Sequence, residues 1–184
     1  MKQFLVLFII IIMASACRMK RTAPDQNPAM DEPDVYRQEY VRFQEASTWI
    51  LGYFARSAMT TPPHSEWFDR EYNRYELNSA VNKLTDISRD DISITVVMGS
   101  WCPDSRREVP RFMKILDFWS FPENRITFIG VDELKNSPLG EYPSLGIERV
   151  PTFIFFKNKI EAGRIIENPL TSLEQDMFDI LTRE

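Results

Sequence analysis

The chain has 184 residues, enough for one domain with extra segments, and its 43% apolar share can build a core. With 22 Lys and Arg against 27 Asp and Glu it is mildly acidic, so it lacks the basic face a nucleic-acid partner requires. Past the N-terminus no apolar run reaches the about 18 residues of a membrane span.

Residues 1–17 read as an export signal. Met1-Lys2-Gln3 is a short cationic start, residues 4–13 are apolar, and the small residues Ala14-Ser15-Ala16 precede Cys17. Two cleavages fit. One is of the bacterial lipoprotein type and leaves Cys17 lipidated at the new N-terminus. The other follows the ordinary A-x-A rule and releases a soluble protein. The lipoprotein reading is carried forward, although Ala14 stands where an aliphatic residue is usual. Arg18, Lys20 and Arg21 also follow the apolar run, where basic residues resist translocation. The expected location is the periplasm, or the membrane of the bacterial cell envelope through a lipid anchor.

Residues 18–33, rich in Pro, Asp, Asn and Gln, read as a flexible tether. Residues 34–90 read as a helical extension with the first domain helix. Tyr36, Tyr40, Phe43, Ser47, Ile50, Leu51 and Phe54 recur at helical spacing, which predicts a helix over 34–59. Pro62-Pro63 ends it. Trp67, Phe68, Tyr72 and Tyr75 form an aromatic segment, and 76–84 is a further helix. His64, the only histidine, is expected to be exposed beside the two prolines.

From residue 91 the pattern alternates. Residues 92–98 form a buried strand, 105–119 a helix with Val109, Phe112, Met113, Leu116 and Trp119 on one face, and 126–131 a second strand. Residues 152–156 and 160–166 are two more strands joined by Lys157-Asn158-Lys159, where Asn158 tolerates a left-handed turn. A last helix starts near Thr171-Ser172; Thr171 with Glu174 and Ser172 with Gln175 both fit a capping box. This order implies an α/β sheet of mixed strand directions over 91–184.

If Cys17 is lipidated, Cys102 is the one thiol left in the domain. It sits where a buried strand ends and a helix begins. Unpaired helix-end N–H groups and the helix dipole stabilise a thiolate there. Ser105, three residues on, can face the sulfur with its hydroxyl and N–H. Arg106 and Arg107 favour the anion, and Asp104 opposes it.

The run Trp101-Cys102-Pro103-Asp104-Ser105-Arg106 resembles the active site of the thioredoxin family. Pro110 matches the family's kinking proline. Val150-Pro151-Thr152 matches its cis-proline loop, and Gly163 the glycine of its last strand. Asp104-Ser105-Arg106-Arg107-Glu108-Val109-Pro110 and Gly163-Arg164-Ile165-Ile166-Glu167 are similar to exported thioredoxin-like proteins of Bacteroidetes-type bacteria. The resemblance implies a three-layer α/β/α fold with a mixed central sheet behind an N-terminal helical extension. It makes Cys102 the nucleophile, with Trp101, Pro103, Val150, Pro151 and Thr152 beside the substrate.

The departures carry information. Ser105 replaces the resolving cysteine, and Val96 stands where the family has the buried acid that deprotonates it. Lys159 replaces a turn glycine. No first strand is legible before Glu76, so the N-terminal helices are expected to cover that sheet edge. The sequence therefore predicts a monothiol (CxxS) thiol–disulfide exchange protein, an isomerase or reductase working through a mixed disulfide at Cys102. It would use no cofactor or metal, and its partners would be disulfide- or thiol-containing proteins or small thiols. The rival class is a redox-inactive protein-binding module on the same scaffold; a third is a sensor whose Cys102 forms a sulfenic acid.

Overall fold

The computed structural model describes residues 48–140 and 142–183. The signal, Cys17, the tether and the first part of the helix expected at 34–59 lie outside the described residues. Five strands form one sheet: β1 (Gly52–Phe54), β2 (Ile92–Met98), β3 (Ile126–Gly130), β4 (Thr152–Lys157) and β5 (Ile160–Ile166), in the order β1-β3-β2-β4-β5. Strand β2 runs parallel to β3 and antiparallel to β4, so Val96 lies between Phe128 and Phe153. The two edge strands, β1 and β5, are both antiparallel to their neighbours. The helices are α1 (Ser57–Thr60), α2 (Ser65–Arg74), α3 (Val81–Leu84), α4 (Pro103–Phe118) and α5 (Leu173–Thr182). This is the thioredoxin-like α/β architecture with a mixed sheet.

Alternation along the strands separates the two faces of the sheet. Ile94, Val96, Phe128, Phe153 and Phe155 face a large core with Met59 of α1, Trp67 and Phe68 of α2, and the buried sides of α3, α4 and α5. At its centre the Phe112 ring of α4 packs tilted against Phe153, with ring centroids 4.3 Å apart, and edge-on against Phe155 at 6.0 Å. Val97 and Ile129 point the other way, into a smaller cluster with Cys102, Val131, Tyr142 and Val150. The β4–β5 hairpin turns through Asn158 (φ 50) and Lys159 (φ 67), both left-handed as a two-residue turn of this twist requires.

The helix expected over 34–59 gives way, in its described part, to β1 and the short α1. Exposure here follows a period of two: Ile50, Gly52 and Phe54 turn inward, while Leu51 and Tyr53 face solvent. Ile50 and Phe54, four apart, fit a strand as well as a helix. Pairing with β3 decides for the strand (Gly52 against Gly130, Phe54 against Phe128). Gly130 admits this close approach, because a Cβ there would lie 2.1 Å from the Ile50 carbonyl oxygen. The sheet edge is thus closed by a strand rather than by helices.

The helix expected at 76–84 shrinks to Val81–Leu84. Asn78 stops it from starting earlier. Its side chain accepts from the Ala80 N–H at 2.8 Å, while its own N–H and Nδ2 donate to the Glu174 carboxylate at 3.2 and 2.9 Å. Glu174 is fully buried and serves this contact rather than a capping box with Thr171. Ser172 does cap α5, accepting from the Gln175 N–H at 3.1 Å.

Arg56, just ahead of α1, grips Asp117 of α4 with two bonds of 2.7 and 2.6 Å, and Tyr72 of α2 donates to the same carboxylate at 2.6 Å. Burial pushes the Asp117 carboxyl up, but the bonds from Arg56 and Tyr72 outweigh it and hold it below its ordinary 3.8. The folded value lies below the unfolded one. The stabilisation is therefore complete above 3.8 and lost as pH falls through the lower folded value. Arg56→Gln should cost about 0.5–1 kcal/mol near neutral pH, since the pair is partly solvated. Urea melts of both proteins should show this gap near pH ~7 and its narrowing as pH falls below 3.8.

Candidate active site

Strand β2 delivers the chain to Gly99-Ser100-Trp101, and Cys102 then caps α4 with an extended backbone (φ −77, ψ 124). Pro103 is the first helical residue, where a missing N–H removes nothing from the helix. The Cys102 N–H donates to Gly99 O at 2.9 Å, and its carbonyl accepts from the Arg106 N–H at 3.0 Å. In the first turn this leaves the N–H groups of Asp104 and Ser105 as donors at the helix end.

Cys102 is 6% exposed, and its thiol donates to the Val150 carbonyl at 3.3 Å. The Val150–Pro151 peptide is cis. That loop is pinned on both sides: Thr152 Oγ1 donates to Arg149 O at 2.7 Å, and the Glu167 N–H donates to Pro151 O at 2.7 Å. The structure therefore places the Cys102 thiol against the loop that carries Val150, Pro151 and Thr152. Pro103 is exposed beside them.

Trp101 is half-buried, and its Nε1–H donates to Val131 O at 2.9 Å. Its indole lies flat against Gly99: a Cβ there would sit 2.5 Å from the ring. Sequence reasoning passed over Gly99, although a glycine closing a buried strand one step before the active-site loop is a usable signal. It also passed over Ser100, which is 1% exposed. The Ser100 hydroxyl accepts from the Ile50 N–H at 3.0 Å, and its carbonyl accepts from Arg106 Nε at 2.5 Å.

Ser105 is fully buried, and its hydroxyl accepts from the Gly99 N–H at 3.2 Å. The hydrogen bond expected toward the sulfur runs instead to the backbone of the active-site loop, and the cap position belongs to Cys102. The charges are largely spent on one another. Arg107 pairs with Asp104 at 2.7 Å and with the buried Glu108 at 2.6 Å, and donates to Asn168 at 2.6 Å. The Glu108 bond, partly opposed by burial and aided by Asp104, raises the Arg107 guanidinium above its ordinary value. Val96 is fully buried between Phe128 and Phe153, so that position holds no carboxylate.

His64 departs from expectation. It is 9% exposed, not solvent-facing, with Nε2 3.0 Å from Thr48 O and Nδ1 accepting from Trp67 Nε1–H at 3.4 Å. The adjoining Pro62 and Pro63 are exposed, which is why the local sequence misleads.

A family model described as Thioredoxin matches residues 57–176, more than half of the chain. The chain belongs to the thioredoxin family. The match begins at α1, ahead of the stretch from 91 that the sequence pattern marks most clearly. No curated protein matches the chain. Among solved structures it is similar to a protein of unknown function from Pseudomonas aeruginosa, at 15% identity and a TM-score of 0.49, covering 72% of this chain and 90% of that one. It is similar to thioredoxin O2 from Arabidopsis thaliana in the oxidised state, at 22% identity and a TM-score of 0.38, covering 58% and 92%. It is also similar to a mutant thioredoxin from Halobacterium salinarum, at 16% identity and a TM-score of 0.34, covering 53% and 79%.

Within this thioredoxin-family site the Gly99–Trp101 contact is open to a direct test. Gly99→Ala should displace the indole and cost about 1–3 kcal/mol through overpacking. Urea melts check the loss. A variant as stable as the parent would show that Trp101 does not rest on position 99.

Proposed function

We propose that the protein is a monothiol thiol–disulfide exchange protein of the bacterial cell envelope. One observation carries the reading: a single thiol caps α4 and faces the carbonyl of the cis-proline loop at 3.3 Å, with a serine at the resolving position. The Cys102 thiolate would attack one sulfur of a substrate disulfide. A new S–S bond forms to Cys102, and the other substrate sulfur leaves as thiolate. A substrate strand lying along Val150-Pro151 would offer an N–H to the Val150 carbonyl, taking the place of the thiol. Trp101 and Pro103 would flank it, and Asp104, Arg106 and Arg107 would set the local charge.

Release requires a thiol from outside the domain. That thiol attacks the mixed disulfide, forms the new S–S bond, and returns Cys102 as thiolate. If it is another cysteine of the substrate, different from the one that left, a new pairing forms and the result is disulfide isomerisation with no net redox change. If it is a small thiol, the substrate is reduced and a disulfide containing the small thiol is released once a second equivalent attacks. Residues 1–17 support export, and Cys17 supports a lipid anchor.

The burial of Cys102 favours a second reading, a binding module that keeps the scaffold without turnover. Variants of a chain carrying Cys17→Ser separate the readings. Cys102→Ser should abolish mixed-disulfide formation with a model protein disulfide, measured by mass spectrometry. Ser105→Cys should oxidise within one chain and gain partial insulin-reducing activity with dithiothreitol. Adding Val96→Asp should raise that rate while lowering stability through a buried charge. A parent protein that forms no mixed disulfide, together with a Ser105→Cys variant that stays a free dithiol in oxidising buffer, would establish the binding module instead.

A further inference from the structure

The thiol of Cys102 holds the cis-proline loop only while it keeps its proton. A thiolate or a disulfide sulfur has no proton to donate, so the bond to the Val150 carbonyl is lost as soon as exchange chemistry begins. A second connection joins the same two segments without the sulfur. It runs through Glu167 and Asn168, the two residues that follow β5.

Ile166 ends β5 opposite Thr152, so the chain leaves the sheet beside the residue that follows Pro151. There the Glu167 N–H donates to Pro151 O at 2.7 Å, and Arg149 Nη1 donates to the Glu167 carboxylate at 2.8 Å. Glu167 takes a left-handed backbone (φ 58), which a non-glycine residue holds only where its surroundings fix it. The Asn168 N–H turns back to Ile166 O at 2.7 Å. The Asn168 side-chain oxygen accepts from Arg107 Nη2 at 2.6 Å. Arg107 in turn holds Asp104 at 2.7 Å and Glu108 at 2.6 Å, in the first two turns of α4. One short turn thus grips the cis-proline loop with its first residue and the helix that Cys102 caps with its second.

We propose that the Glu167-Asn168 turn is a positioning element for the exchange site: it keeps the Val150–Pro151 loop in register with the start of α4 once Cys102 has given up its bond to Val150. An extended substrate that pairs with the loop depends on this brace. A small disulfide that meets only the sulfur does not. The effect on exchange rests on the reading of Cys102 as a nucleophile; the brace itself does not.

Both tests use the full chain carrying Cys17→Ser. Protection of the Glu167 amide from hydrogen exchange, followed by NMR, reads the brace without any reaction. Cys102→Ala removes the thiol bond, and protection should stay within about twofold of the parent. Adding Asn168→Leu, which keeps the side chain's size and loses its acceptor, should lower protection roughly threefold or more. Asn168→Asp in its place restores an acceptor for Arg107 and should return it. Reactivity is read with two probes that release the same pyridine-2-thione: 2,2′-dipyridyl disulfide, and an extended peptide whose cysteine carries a 2-pyridyl disulfide. With Cys102 present, Asn168→Leu should slow the peptide roughly threefold or more and leave the small probe within about twofold. Asn168→Asp should rescue the peptide rate. Where Asn168→Leu does not fold, Glu167→Val serves: its β-branched side chain resists φ 58 and should give the same split, which Glu167→Gly should not. Protection that Asn168→Leu leaves unmoved in the Cys102→Ala chain overturns the proposal, as does equal slowing of both probes. A parent thiol inert to both probes would instead overturn the nucleophile reading, while amide protection still decides the brace.

Discussion

The hydrogen bond from the Cys102 thiol to the Val150 carbonyl joins two segments that only strand register brings together. Strands β2 and β4 are antiparallel neighbours with Val97 opposite Thr152, so the residues leaving β2 and those entering β4 emerge at the same end of the sheet. A slip of one residue would turn Val96 and Phe153 out of the large core and Val97 into it. The inward row of Ile94, Val96, Phe153 and Phe155, all buried, makes that slip costly. The same apolar alternation that builds the core therefore fixes the distance between thiol and loop. Pinning at Thr152 and Glu167 then sets the loop's fine position.

Buried charge ties the helices to this frame. The fully buried Glu174 of α5 accepts from the Tyr75 hydroxyl at 3.0 and 2.9 Å, as well as from Asn78. Burial, Glu174 and Glu108 push the Tyr75 phenol far above its ordinary value, so it stays a donor at every accessible pH. Glu108 of α4, 5% exposed, is met by Arg107 at 2.6 Å and Arg111 at 3.3 Å. Removing one partner from such a set strands a charge out of water, which commonly costs ~3–5 kcal/mol. Because Arg107 also holds Asp104, the network runs from the packed side of α4 to the residue two beyond the thiol.

The sequence is most legible where local pattern and tertiary demand agree. Strands β2 to β5, the buried face of α4 and the left-handed Asn158 turn all follow from periodicity and turn chemistry, and the helix-start position of Cys102 follows from the strand before it. The contact of Cys102 with Val150, 48 residues away, was legible only through the family resemblance, since no local rule brings those residues together. Strand β1 was hidden because Ile50 and Phe54 suit either period, and the deciding partner is Gly130 of β3. Glu174 was hidden by a better local story: its capping spacing is sound, but Tyr75 and Asn78 arrive from far back in the chain. His64 failed for the same reason. Exposed prolines beside it suggested solvent, whereas Thr48 and Trp67 enclose it.

Ser105 and Val96 fit one physical account. The Gly99 N–H is buried beside the active-site loop and needs an acceptor, and the Ser105 hydroxyl supplies it at 3.2 Å. A thiol is a weaker acceptor, so a cysteine there would serve this structural bond less well. Val96 likewise fills the space between Phe128 and Phe153, where a carboxylate would lose its water without a partner. A dithiol site accepts both penalties to gain an internal exit from the mixed disulfide. This chain avoids both. In the proposed exchange reaction, the lifetime of the mixed disulfide is then set by how easily an outside thiol reaches the sulfur of a cysteine that the resting protein keeps buried. In that proposal, control of the reaction passes from a second cysteine to access.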